Sequence, residues 1–187
     1  VFYAMDDAVA ENSMQITLPE FVEEQHIAIE NDYRNKMIRI SLSKQAQDMI
    51  SAKYFYENPI KVNLYTNSVK MDEDSGVVTI VFGFETVFEY ETKFEKKNGN
   101  SCLNVQLVMP KEKYEKIIVL DAGHGGTDAG YTIMGEDESQ QLCEDELAYA
   151  VVDAAGKRLE KDGIKVYYTR QEETNPTEEA RVELANE

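Results

Sequence analysis

From about residue 37 to residue 110 the chain alternates apolar and polar side chains with a period of two. In "MIRISL" the residues Ile38, Ile40 and Leu42 fall on one face, and Val78, Ile80, Phe82 and Phe84 repeat the pattern. In "VFEYETKFE", Phe88, Tyr90 and Phe94 face one way while Glu89, Glu91, Lys93 and Glu95 face the other. Such alternation predicts half-buried antiparallel strands. Asn98-Gly99 predicts a two-residue hairpin turn, followed by another alternating run through Leu103, Val105 and Leu107 that Pro110 ends. "QHIAIE" puts His26 in an ordinary strand, "KYFYENP" reads as an aromatic-rich edge strand, and "KEKYEK" reads as a polar linker.

After Lys116 the grammar changes. "KIIVLDAG" is a continuous apolar run, the pattern of a strand covered on both faces. From Glu144 to about Lys161 the period is helical, with Leu147, Val151, Ala154, Ala155 and Leu159 on one stripe and Gly163 as the C-terminal cap. "IKVYYTR" predicts the next strand. "NPTEEARVELANE" predicts another helix, with Asn175 as N-cap, Pro176 at the first position and Glu178 closing a capping box. Strand, helix, strand, helix implies a parallel pair joined by a crossover. The expected fold is therefore two domains. Residues 1–115 form an all-β, antiparallel, sandwich-like domain. Residues 116–187 begin an α/β domain with a mostly parallel sheet, incomplete because two strands leave an edge bare.

Charge narrows the function. The formal net charge of −17 over 187 residues argues against nucleic acid and against anionic membrane surfaces. Two cysteines, Cys102 and Cys143, make neither a disulfide framework nor a CxxC pair, so two free thiols are expected. No stretch reaches the roughly 18 apolar residues of a membrane span. The chain opens on "VFYAMDDAV" without a signal-peptide pattern, which leaves room for a removed leader or anchor upstream.

The candidate chemistry lies in "DAGHGGTDAG", where His124 sits among glycines at the carboxyl end of the predicted strand. As a dinucleotide turn the segment fails, because Asp128 stands where GxGxxG needs its third glycine and would repel a pyrophosphate. Two readings remain open: a tight turn with an incidental histidine, or a metal site. Zinc takes imidazole nitrogen and carboxylate oxygen, and the start of the Glu144 helix points back toward the same strand end.

These segments resemble the zinc-dependent N-acetylmuramoyl-L-alanine amidases of bacterial cell-wall turnover. "VLDAGHGGTDAG" is similar to that family's first strand and zinc-binding turn, "EDELAYAVVDAAGKRLEKDGIKVYYTR" to its helix and second strand, and "ARVELANE" to the opening of its next helix. The resemblance implies Zn2+ as cofactor, His124 as the first ligand and Glu144 as the second, with Glu146 the competing choice and alignment on Leu147 favouring Glu144. It places the third ligand, a histidine, on a strand beyond this segment, and the catalytic glutamate later still, so residues 1–187 alone are expected to be inactive. The other histidine, His26, fits no motif. The stretch between His124 and Glu144 is longer than the family's, and its "YTIMGEDESQQLC" carries Glu136, Asp137 and Glu138, as a lid over the metal or as a solvated acidic loop.

The β-rich half resembles, in architecture only, the AMIN modules that target such enzymes to the wall or septum. Tyr54, Phe55 and Tyr56 either stack on sugar faces or pack an edge. The resemblance thus implies a secreted or surface-anchored bacterial hydrolase. It would cleave the amide between N-acetylmuramic acid and L-alanine of peptidoglycan, with cell-division or cell-wall proteins as partners. The alternative is a non-catalytic wall-binding protein with a degenerate or cut amidase segment.

Overall fold

The computed structural model of the protein describes residues 1–43, 50–134 and 141–187. The chain forms two compact units, Val1–Met109 and Pro110–Glu187.

In unit 1 the strands are β1 (Tyr3–Met5), β2 (Ser13–Pro19), β3 (Ile27–Asp32) and β4 (Met37–Ser43), then, after a short helix α1 (Ala52–Glu57), β5 (Ile60–Asn63), β6 (Ser68–Asp74), β7 (Val77–Gly83), β8 (Glu89–Lys97) and β9 (Asn100–Val108). They build a five-stranded sheet in the order β1-β5-β2-β9-β8 and a four-stranded sheet in the order β3-β4-β7-β6. The alternation sets the register. Ile38, Ile40 and Leu42 stand opposite Phe82, Ile80 and Val78 in one sheet, and Met14 and Ile16 stand opposite Val105 and Leu103 in the other. The inner faces of both sheets join in one buried cluster, which makes the unit a sandwich. Each such side chain contributes about 1.5–3 kcal/mol relative to exposure. Asn98 and Gly99 both have positive φ, 53° and 73°, the conformation of the tight hairpin turn their sequence predicts.

Several expectations for this unit are corrected. The five-stranded sheet is mixed, because β1 pairs parallel with β5. Glu89 is buried, although the alternation put it on the outer face. His26 closes a 3-10 turn, Glu24–His26, ahead of β3, and its Nδ1 accepts the Glu23 amide at 3.0 Å. "KYFYENP" is the helix α1, not a strand, so its aromatics point apart. Phe55 enters the core, Tyr54 is half-buried with its hydroxyl donating to Thr17 O, and only Tyr56 is exposed. That geometry forms no stacking platform.

In unit 2 a helical turn α2 (Pro110–Lys113) leads to β10 (Ile117–Leu120), a hairpin β11 (Thr132–Met134) and β12 (Gln141–Cys143), the helix α3 (Glu144–Lys161), β13 (Lys165–Tyr168) and the helix α4 (Glu178–Asn186). The stretch read as a linker belongs to this unit: the Tyr114 amide donates to Pro110 O, and Lys113 and Lys165 both lie over the Tyr114 ring. β10 and β13 form the expected parallel pair, with Ile118 opposite Val166, while β11 and β12 pair antiparallel. Among the described residues the sheets of this unit are therefore one parallel and one antiparallel pair, rather than one mostly parallel sheet. Glu136, Asp137 and Glu138 lie outside the described residues, and so does the question of a lid.

The helix α3 runs over the expected span, and Gly163, with φ 77°, follows its end. Its docking face differs from the predicted stripe. Leu147 and Val151 are 54% and 68% exposed, and Ala154 and Ala155 are exposed as well. The buried position is Gly156, where an added Cβ would collide with the Tyr168 hydroxyl and stand 2.6 Å from its Cζ. A strand pair is only about 5 Å across from axis to axis. It covers the face carrying Gly156 and leaves the larger apolar residues uncovered. For the same reason β10 is half-buried along its whole length, not covered on both faces. No helix among the described residues is long and apolar enough to cross a membrane.

Candidate metal centre

Beyond Leu120 the chain passes through Asp121 and Ala122 into a turn of unusual backbone. His124 has φ 58°, a left-handed conformation that costs a residue with a Cβ about 1–2 kcal/mol. Gly125 and Asp128 then bond to each other in both directions, at 2.8 and 3.0 Å. This bridge folds Asp128 back beneath the imidazole.

The ring is engaged at both nitrogens. Nδ1 lies 2.9 Å from Asp128 Oδ2, and the other Asp128 oxygen accepts the Gly130 amide at 3.1 Å. Nε2 points away from Asp128 and lies 3.4 Å from Glu144 Oε2. Glu144 is the first residue of α3, where a negative charge complements the helix dipole. Two reciprocal bonds hold it there: its amide donates to Tyr131 O at 3.0 Å, and the Tyr131 amide donates to Oε2 at 2.9 Å. Gly130 makes the meeting sterically allowed. A Cβ there would stand 2.8 Å from His124 Cδ2 and 2.9 Å from Glu144 Oε2.

The electrostatics follow. The Asp128 hydrogen bond raises the His124 pKa above its ordinary value; burial opposes, and the charges of Asp128, Glu144 and Asp145 add to the rise. Asp128 is lowered by the same bond and by the Gly130 amide. Burial alone would raise Asp121, but the Thr169 hydroxyl and the Arg181 guanidinium outweigh it and hold that carboxyl below the usual range. All three side chains of the cluster remain open to solvent: His124 is 36% exposed, and Asp128 and Glu144 about half.

Two arginines fasten the turn. Arg181 of α4 donates to Asp121 Oδ1 and Ala122 O at 2.6 Å each and to His124 O at 3.0 Å. It also donates to Asn175 Oδ1 at 2.9 Å. Asn175 is thereby used, and the N-cap of α4 is Thr177, whose hydroxyl accepts the Ala180 amide. Arg170, at the end of β13, donates to Ala122 O at 2.9 Å.

The donor set suits zinc in part. Two ligand atoms each about 2.0–2.2 Å from a tetrahedral zinc stand roughly 3.3–3.6 Å apart. The His124–Glu144 separation has that length, which is long for a hydrogen bond. A carboxylate on the other ring nitrogen is the usual partner of a zinc-binding histidine, because it fixes the tautomer that leaves Nε2 free. Among the described residues, however, no group of three or more His, Cys, Asp or Glu side chains is arranged to hold a metal. His124 and Glu144 form a pair, and Asp128 faces the wrong nitrogen to complete it.

Of the residues predicted from sequence, His124 and Glu144 are brought together. Glu146 is exposed on the same helical turn, and Glu144 is the carboxylate that reaches the ring. His26 lies in unit 1, within its 3-10 turn. Cys102 and Cys143 are free thiols. Sequence reasoning missed three participants: Asp128, weighed only as an obstacle to phosphate, and the two arginines. The spacing of Asp128, four residues beyond His124 in a glycine turn, was the available signal.

Residues 118–187 match the model of the N-acetylmuramoyl-L-alanine amidase family. The match covers 70 of the 187 residues and, at the level of the family, is to amidases of the hydrolase class. A search of curated proteins finds no match to the chain.

Proposed function

We propose that the protein is a zinc-dependent N-acetylmuramoyl-L-alanine amidase, exported to the bacterial cell wall, with unit 1 as an AMIN-like targeting module. The observation that carries this reading is the approach of His124 Nε2 to Glu144 Oε2 within a segment matched by the amidase family. In this reading His124 and Glu144 hold the zinc and Asp128 holds the neutral ring with Nε2 outward. When held there, zinc would supply Lewis-acid activation of a water and of the scissile carbonyl. Gly125, Gly126 and Gly130 let Thr174 O, Glu173 O and the His124 ring close on the turn, and the partly exposed His124 and Glu144 side chains remain open to a glycan-linked peptide. The reading requires a third protein ligand and a proton-shuttling carboxylate from outside the described residues.

The sandwich architecture of unit 1 is compatible with targeting, and cell-division or cell-wall proteins would be its partners. A second reading, a wall-binding protein without catalysis, is favoured by the two-membered donor set. One experiment separates the two: zinc content and release of stem peptides from peptidoglycan, for the full-length protein as wild type and His124→Ala. Zinc and release in the wild type, both lost in the variant, support the amidase. Wall binding without zinc or release supports the alternative.

A further inference from the structure

Arg170 is only 2% exposed, among the largest side chains buried in the described residues. Taking a guanidinium out of water costs several kcal/mol unless its N–H groups are satisfied. Its partners are backbone carbonyls. Nε donates to Ala122 O at 2.9 Å, and Nη1 donates to Gln171 O at 3.2 Å and Glu172 O at 2.8 Å. Nη2 donates to Gly123 O at 3.3 Å and to Asp145 O at 2.9 Å. The Tyr149 ring covers the group at 5.1 Å.

The two acceptors of Nη2 matter most. Gly123 immediately precedes His124, and Asp145 immediately follows Glu144. One nitrogen thus bridges the turn that carries the imidazole and the helix that carries the carboxylate. A carbonyl in the first turn of a helix already serves the amide four residues on, so the bond to Asp145 O fixes position rather than rescuing an orphan acceptor. Lysine cannot substitute: it is a shorter point donor without the planar fork.

We propose that Arg170 is a positioning residue that sets the separation of His124 and Glu144. Its consequence for metal binding rests on the zinc reading above; the positioning itself does not. The test uses the 187-residue chain as wild type, Arg170→Lys and Arg170→Gln, with His124→Ala as control. Three quantities are read. They are the nuclear Overhauser contacts between the His124 ring and the Tyr131 amide and Glu144 side chain in metal-free protein, zinc affinity by chelator competition, and amide exchange along β10 and β13.

The expected result is loss of the ring contacts and at least tenfold weaker zinc binding in both variants, in line with the 10–100-fold typical of second-sphere changes. The β10–β13 amides keep their protection. Unchanged contacts and zinc affinity in a folded variant overturn the proposal. Collapse of β10–β13 protection in both variants also overturns it, leaving Arg170 a scaffold residue. If wild type and His124→Ala take up no zinc alike, yet the ring contacts still vanish in the Arg170 variants, the metal reading falls and the positioning role stands.

Discussion

The two units are held together by different means. Unit 1 rests on apolar burial: the inner faces of its sheets put Met14, Ile16, Ile40, Ile60, Val62, Ile80, Phe82 and Val105 wholly out of water. In unit 2 the buried apolar side chains among the described residues are Pro110, Ala122, Val166 and Tyr167, and Arg170 and Thr169 are buried as well. There the guanidiniums of Arg170 and Arg181 tie down carbonyls that a left-handed turn withholds from any strand. A hydrophobic core tolerates exchange of similar volumes. A hydrogen-bonded turn does not, since each lost donor leaves a polar group stranded. The consequence is a division of labour, with bulk stability in the first unit and fixed geometry at the His124 turn in the second.

The comparison can be broken by substitution. The largest effect is expected for Phe82→Ala, which should cost about 3–5 kcal/mol of unit 1 stability. Urea unfolding followed by unit 1 amide signals measures it, and a loss under about 1 kcal/mol would show that the sandwich core is not the source of stability. Next comes Asp128→Asn, which frees His124 Nδ1 from its anchor. Zinc affinity should fall 10–100-fold with little change in the unfolding midpoint; an unchanged affinity would remove Asp128 from the site.

The pH dependence of the pair is smaller, because both groups are exposed. A folded His124 pKa raised above the unfolded value contributes stability below that unfolded value, and the contribution is lost as pH rises through the raised one. Asp128 is lowered, so its contribution holds above its unfolded value and is lost as pH falls through the lowered one. The metal-free pair is therefore strongest between the Asp128 value and the His124 value. Zinc needs the neutral ring, so its affinity should climb with pH through the raised His124 value and level off above it. Calorimetric zinc titrations across pH read this directly, and affinity flat between pH 5 and 8 would contradict it. The smallest effect is expected for Val151→Ser on the uncovered face of α3, within about 0.5 kcal/mol by thermal unfolding. A larger loss would mean that this face is packed in solution.

What could be read from the sequence divides along the same line. Period-2 runs report a buried face directly, so the β4, β7 and β9 strands and the Asn98-Gly99 turn were legible residue by residue. Local pattern misled where tertiary contacts decided. "KYFYE" has the β propensity of its aromatics, yet it closes as one and a half turns of helix with Phe55 in the core. The apolar stripe of α3 was a true periodicity that does not mark the docking face, because the helix docks through Gly156 against Tyr168. At the site, His124 and Glu144 stood out as residue types in a glycine-rich context. Arg170 and Arg181 act through backbone carbonyls, and a carbonyl leaves no mark in a sequence.

Gly156 has a reach beyond its own contact. It is the fulcrum on which α3 rests, twelve positions along the helix from Glu144, a span of about 18 Å. A single methyl inserted there would tip the rod, and at that lever arm a tilt of a few degrees swings the far carboxylate by about an ångström. The one residue of the helix without a side chain thus supports, from its far half, the placement that Arg170 and Tyr131 fix at its first turn.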